Sequence, residues 1–100
     1  FLITSNRTTS SAVLNAVYLK QRTNCITVGE EPCGTPNHFG EIKFFVLPMS
    51  KIAICYPTKY FQVVNPPENY FKPEIPVSVS YNDFISGTDP VYNAIVNYNK

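Results

Sequence analysis

The first 28 residues follow an order of apolar and polar segments that few folds accommodate. The order is an apolar segment at 1–3, a polar segment at 4–9, a helical repeat of apolar side chains at 12–23 and a largely apolar segment at 25–28. It predicts a strand, a loop, a helix and a second strand. Because a crossover helix joins strands that run in parallel, the sequence indicates an α/β fold.

We expect residues 1–3 and 25–28 to be neighbouring parallel strands of one sheet, with the helix packed on it. Further along, residues 41–47 and 51–56 flank a Pro-Met-Ser turn. That arrangement predicts a β-hairpin, which residues 59–64 extend. The expected sheet is therefore mixed.

The C-terminal quarter predicts one short strand and two helical segments. Alternation at 77–80 indicates the strand, and residues 81–86 read as a helical turn that Gly87 closes. Asp89 is a suitable N-cap, and Pro90 fits the first position of a C-terminal helix.

Residues 1–3 are apolar on both strand faces. Such a strand belongs inside a sheet that is covered on both sides. No turn precedes it, so we interpret the chain as a fragment of a larger domain.

Composition excludes several classes of function. The net charge is +1, so no basic surplus is available to neutralise nucleic-acid phosphates. No apolar run approaches the length of about 20 residues that a transmembrane helix needs. Cys25, Cys33, Cys55 and His38 fit no usual zinc spacing, so we expect small, buried or half-buried thiols and no metal or other cofactor.

The segment Thr-Thr-Ser-Ser-Ala at 8–12 stands where the first strand turns into the helix. A serine there faces the carboxyl edge of the sheet, where α/β folds bind ligands. The free N–H groups of the helix also favour an oxyanion. Serine and threonine are equally the usual N-cap residues, so Thr9, Ser10 or Ser11 is also a candidate helix cap.

Six motifs in the chain resemble, in order, those of the C-terminal processing (tail-specific) serine protease family. They are Ser-Ser-Ala at 10–12, Val-Gly-Glu-Glu-Pro-Cys-Gly at 28–34, Pro-Asn-His-Phe-Gly-Glu at 36–41, Leu-Pro-Met-Ser at 47–50, Pro-Glu-Ile-Pro-Val at 73–77 and Asp-Phe-Ile-Ser-Gly-Thr-Asp-Pro at 83–90. The resemblance implies a crotonase-like α/β fold, of which residues 1–100 are the C-terminal portion of the catalytic domain.

The resemblance also assigns roles to two adjacent serines. Ser10 matches the nucleophile, and Ser11 matches the residue whose backbone N–H lines the oxyanion hole. The chain departs from the family at Val13, where a glutamate is frequent, and at Thr35, where one branch has the lysine of a Ser/Lys dyad. A threonine hydroxyl is no base near neutral pH, so the dyad lacks its lysine here.

The resemblance also extends to a second branch of the family, in which the catalytic residues are a Ser/His/Glu triad. Glu68 lies at a similar separation from Ser10 and is the candidate triad acid, whereas Glu74 fits the closing Pro-Glu-Ile motif better. His38 matches a family loop in which the histidine is not catalytic, so we expect it to be structural. The chain as given is then expected to lack its base.

Three functions remain open at this point. The chain is expected to be the catalytic segment of a serine-type peptidase, hydrolysing peptide or protein substrates through an acyl-enzyme at Ser10. The alternatives are a non-catalytic relative that binds a peptide or ligand, and a structural module in which Ser10 only caps the helix. The resemblance implies an extracytoplasmic location and contact with the upstream part of the same catalytic domain. It leaves open whether the protein forms a homo-oligomer.

Overall fold

A computed structural model describes residues 1–99 as two small sheets and three helices. The elements are β1 (Leu2–Thr4), α1 (Ser11–Arg22), β2 (Thr27–Gly29), β3 (His38–Val46), β4 (Ala53–Phe61), β5 (Ile75–Pro76), α2 (Tyr81–Ser86) and α3 (Pro90–Val96). Strands β1, β2 and β5 form a parallel sheet in the order β1-β2-β5, and β3 and β4 form an antiparallel hairpin. The predicted α/β class is confirmed, but the expected single mixed sheet is wrong, because in residues 1–99 the parallel strands and the hairpin form two separate sheets.

The predicted strand–helix–strand unit is present. Strand β1 pairs with β2 in parallel, with Leu2 opposite Thr27. Helix α1 makes the crossover and buries Val13, Ala16 and Val17, the centre of the apolar core. Leu2 packs against that cluster from the sheet. Helix and strand bounds differ from the predicted ones by one or two residues.

Gly29 lets β1 and β2 approach each other at the carboxyl edge of the sheet. Its φ is 117°, and a Cβ added there would lie 2.1 Å from the carbonyl oxygen of Thr4. Beyond the strands, the Thr4 hydroxyl donates to the carbonyl oxygen of Glu30 at 2.8 Å. Any side chain at position 29 would therefore push the two strands apart at this edge.

A reciprocal pairing of Thr27 and Glu74 holds the third strand in register. The Glu74 carboxylate accepts from the Thr27 N–H at 3.0 Å, and the Thr27 hydroxyl accepts from the Glu74 N–H at 2.9 Å. Lys20 of α1 lies 2.5 Å from the other carboxylate oxygen. These contacts join α1, β2 and β5 at the amino edge of the sheet.

The strand predicted at 77–80 is wrong. Strand β5 lies two residues earlier, because the bonds of Glu74 fix the pairing so that Val28 stands opposite Ile75. The Val77 N–H adds one further bond to the Gly29 carbonyl. The chain then turns away, because Ser80 begins the next helix.

The predicted hairpin is confirmed and is longer than expected. It pairs His38 with Phe61 at one end and Val46 with Ala53 at the other. The buried Asn37 anchors its base, since the side-chain amide accepts from the N–H groups of Val63 and Val64 at 2.7 and 3.0 Å. The molecule measures 60 × 36 × 17 Å. Its radius of gyration is 17.6 Å, whereas a compact chain of this length has a radius of gyration of about 13 Å, so the molecule is elongated.

Both predicted C-terminal helices are confirmed, and a side chain caps the N-terminus of each. Ser80 and Asp83 form a capping box at α2, and Gly87 ends that helix in a left-handed conformation. The Asp89 carboxylate accepts from the Tyr92 N–H at 2.9 Å, and Pro90 is the first residue of α3. Val91 is the buried residue of α3, which packs against β2. Within residues 1–99, no helix is long and apolar enough to cross a membrane.

We predict that Thr27→Val lowers the free energy of unfolding by about 1–3 kcal/mol, because it removes a fully buried hydroxyl and leaves the Glu74 N–H without its acceptor. Urea unfolding at neutral pH measures the change. Thr58→Val is the matched control, because the Thr58 hydroxyl donates to Glu41 on the exposed hairpin and should contribute less than about 0.5 kcal/mol. Equal losses would contradict the assigned role of Thr27.

Candidate functional site

The connection between β1 and α1 brings Ser10 to the carboxyl edge of the parallel sheet. After β1 the chain makes a tight turn, in which the Thr8 N–H donates to the Ser5 carbonyl at 2.9 Å. The Thr8 hydroxyl accepts from the Ser5 N–H at 3.0 Å and closes the same turn. A crossover helix starts at the edge where its preceding strand ends, so Ser10 stands at that edge.

Ser10 has a strained backbone. Its φ is 52° and its ψ is −125°, a combination that side-chain-bearing residues rarely adopt. Holding a serine there costs on the order of 1–3 kcal/mol. A sharp strand-to-helix turn of this type exposes the hydroxyl of a nucleophilic serine above the sheet.

The side chain of Ser10 makes no capping bond to α1. Backbone carbonyls cap the helix instead: Thr9 accepts from the Ala12 N–H at 3.1 Å, and Ser10 accepts from the Val13 N–H at 2.9 Å. Ser10 is the N-cap residue by position, but the expected hydroxyl cap is wrong for it. Its hydroxyl is therefore available for chemistry.

The backbone N–H of Ser11 lies at the start of α1. Ser11 is the first residue of α1, and within residues 1–99 its N–H donates to no acceptor. The first turn of α1 contains no acidic side chain. The positive end of the helix dipole is thus not neutralised locally, which favours an anion beside Ser10 and Ser11.

The segment around Gly34 lies against this turn. A Cβ added at Gly34 would stand 4.0 Å from the Thr9 hydroxyl. The residue after Gly34 is the one at which the resemblance places a lysine, so that residue lies near the Ser10 turn. Thr35 occupies that position, and its hydroxyl donates to the carbonyl oxygen of Asn37. Thr35 therefore stabilises the loop and supplies no base.

His38 belongs to the base of the hairpin. Its Nδ1 lies 3.1 Å from the carbonyl oxygen of Thr35, and its ring lies 5.8 Å from that of Phe61. Within residues 1–99, no hydrogen bond joins His38, a lysine or a carboxylate to the Ser10 hydroxyl. These contacts agree with a structural histidine.

The two candidate acids lie away from the Ser10 turn. Glu68 lines a cavity of about 230 Å³ beside Val17 and Lys20. Val17 is seven residues into the helix after Ser10, a distance of about 10 Å along the axis. Glu74 lies at the amino edge of the sheet, bound to Thr27 and Lys20. The structure thus brings Ser10 and Ser11 together but does not bring Glu68 or Glu74 to them.

The backbone of Ser10 is the feature that sequence reasoning did not find. Positive φ is signalled in sequences mainly by glycine, and position 10 is a serine. In the described part of the chain, His, Cys, Asp and Glu side chains form no group of three that could hold a metal ion. Cys25 is half-buried as expected, but the expected burial is wrong for Cys33 and Cys55, which are exposed.

We predict that Ser10→Gly raises the free energy of unfolding by about 1 kcal/mol, because glycine adopts this backbone conformation without strain. Ser11→Gly is the matched control. Ser11 is helical, so its replacement by glycine should lower the same quantity by about 0.5–1 kcal/mol. Urea unfolding measures both changes, and a loss of stability in both variants would contradict the strained turn.

We predict a pH dependence that originates at Glu74. The bond to the Lys20 ammonium, and then the bond from the Thr27 N–H, hold the pKa of Glu74 below its ordinary value of 4.5. A depressed folded-state pKa contributes stability above the unfolded-state pKa, and that contribution is lost as the pH falls through the folded-state pKa. Unfolding measured from about pH 5 down to pH 3 should therefore show a loss that is smaller in Glu74→Gln. Lys20→Met should reduce the loss without abolishing it, since the bond from Thr27 remains.

No protein-family model, curated protein or solved structure matches this chain. The peptidase resemblance therefore remains a prediction from the motifs of the chain. The geometry of Ser10 is an independent observation about the same residue, and it is the starting point for a functional proposal.

Proposed function

We propose that the chain is a catalytic segment of a serine-type peptidase, related to the C-terminal processing proteases and built on a crotonase-like fold. Ser10 is the nucleophile, and the Ser11 N–H is one donor of the oxyanion hole. The observation that carries the proposal is the strained turn of Ser10, which leaves its hydroxyl unbonded by the helix that it precedes.

The reaction follows from the positions of these two groups. The Ser10 Oγ attacks the carbonyl carbon of the scissile peptide bond and passes its proton to a base. The Ser11 N–H donates to the oxyanion that forms. When the C–N bond breaks, the leaving amine takes the proton from the conjugate acid of the base. Water then hydrolyses the ester and regenerates Ser10.

The base is the group that the surroundings of Ser10 do not supply. Thr35 stands in the place of the lysine, and its hydroxyl is bonded to Asn37. Under the proposal, a segment outside residues 1–99 or a second copy brings a histidine or lysine to the carboxyl edge. Glu68 lies beside the second half of α1. It can act as the triad acid only if the base on the added segment contacts both Glu68 and Ser10.

The same observation at Thr35 favours a second candidate function, a non-catalytic relative that binds a peptide or another ligand at this edge. For the peptidase the partner is a peptide or protein substrate, and by the resemblance the location is extracytoplasmic.

A fluorophosphonate probe distinguishes the two functions, because it reacts only with an activated serine. In the full-length protein that contains this chain, we expect the probe to label the wild type. Ser10→Ala should abolish the labelling, whereas Ser11→Ala should retain a substantial share, because its backbone N–H remains. Ser86→Ala, an exposed serine in α2, is the control and should label fully.

Three results would contradict parts of the proposal. Labelling lost in Ser11→Ala but kept in Ser10→Ala would move the nucleophile by one residue. Labelling that neither variant affects would assign it to another residue. No labelling of a folded wild type would remove the peptidase function and leave the non-catalytic relative and the structural module.

A further inference from the structure

A cavity of about 450 Å³ opens at the carboxyl edge of the parallel sheet, on the face opposite α1. The end of β1 and Glu30 after β2 form one side, and the segment from Asp83 to Val91 forms the other. Helix α1 covers the Leu2 side of the sheet, whereas Ile3 points to this cavity. The cavity and the Ser10 turn therefore share one edge of the sheet.

The wall of the cavity is mainly apolar. Ile3, Phe84, Pro90 and Val91 contribute to it, and more than half of the Ile3 and Phe84 surface is exposed. Such a wall accommodates hydrocarbon groups of a ligand.

The rim of the cavity carries three carboxylates, from Glu30, Asp83 and Asp89, and none of its lining residues is a lysine, arginine or histidine. One oxygen of each carboxylate accepts from a backbone N–H. Glu30 accepts from Asn6 at 3.1 Å, Asp83 from Ser80 at 2.8 Å and Asp89 from Tyr92 at 2.9 Å.

The second oxygen of each carboxylate accepts no bond from any residue of the described range 1–99. The bonds from Ser80 also hold the pKa of Asp83 below its ordinary value, which keeps this carboxylate ionised. Three fixed acceptors thus stand around an apolar wall.

We infer that this cavity binds an arginine side chain of an extended peptide. The methylene groups of arginine pack on the apolar wall while its guanidinium donates to the unbonded carboxylate oxygens, a combination that neither a neutral polar side chain nor a short one offers. The planar group and its several N–H donors suit carboxylates on different elements of the rim.

As a substrate pocket, the cavity depends on the proposed peptidase function, so binding is measured apart from catalysis. The full-length protein with Ser10→Ala is titrated against fluorescent Ala-Ala-Arg-Ala-Ala, against the same peptide with citrulline, and against one with norleucine. Citrulline has the shape of arginine without its charge, and norleucine retains only the hydrocarbon.

We expect the arginine peptide to bind about tenfold or more tightly than either control peptide, because charge-assisted bonds are lost in both. Glu30→Gln combined with Asp89→Asn should remove most of this preference, and both substitutions retain acceptors for Asn6 and Tyr92. Glu31→Gln makes the same charge change at an exposed neighbour that does not line the cavity and should leave the preference unchanged. Circular dichroism confirms that each variant is folded.

Equal binding of the arginine and citrulline peptides, tightest binding of norleucine, or no binding of any peptide by the folded protein would each overturn the inference. So would a preference that Glu31→Gln weakens as much as the double variant does. An arginine preference in a protein that no fluorophosphonate labels would retain the cavity site and remove the peptidase function. Labelling without an arginine preference would have the opposite meaning.

Discussion

The parallel contact between β1 and β2 is the constraint on which the rest of the structure depends. Gly29 allows the strands to meet at the Thr4 carbonyl, where no side chain fits. Two parallel strands require a crossover, and the crossover must begin at the edge where β1 ends. The core under α1, the position of Ser10 and the position of the cavity all follow from that one pairing. A change at Gly29 would therefore disturb the proposed site although Gly29 contacts no substrate.

The hairpin is less well covered by packing than the parallel sheet, on which α1 lies. It consists of two strands, and large apolar side chains are exposed along it, among them Phe39 and Phe44 with 67% and 72% of their surface accessible. A two-stranded ribbon is marginally stable by itself in water. The amide of Asn37 fixes its base but covers neither face. We therefore expect the hairpin to be covered by other protein in the working molecule.

The sequence predicts the elements of this fold better than their ends. Hydrophobic periodicity, capping residues and turn residues are local features, so the amino-acid sequence alone predicts α1, α2, α3 and the hairpin. The sequence misplaces strand β5 because the register of that strand depends on Glu74 and Thr27, which are 47 residues apart and meet only in the folded chain. At the site, the resemblance selects Ser10, but the strained conformation that frees its hydroxyl has no glycine to signal it. The prediction of Glu68 as the triad acid rests on its separation from Ser10 along the chain, which does not determine the distance between the two residues in space.

The carboxyl edge of the sheet combines two opposite electrostatic preferences. At the start of α1, unpaired N–H groups and the absence of acidic side chains favour negative charge next to Ser10. On the opposite face, the carboxylates of Glu30 and Asp89 favour positive charge. Under the proposed function, a peptide that reacts at this edge develops negative charge at its scissile carbonyl, so that carbonyl is attracted to the helix end and repelled by the carboxylates of the cavity. A cationic side chain experiences the reverse. Under that proposal, the two fields impose one direction on the bound peptide, with its scissile carbonyl at the start of α1 and its cationic side chain at the cavity.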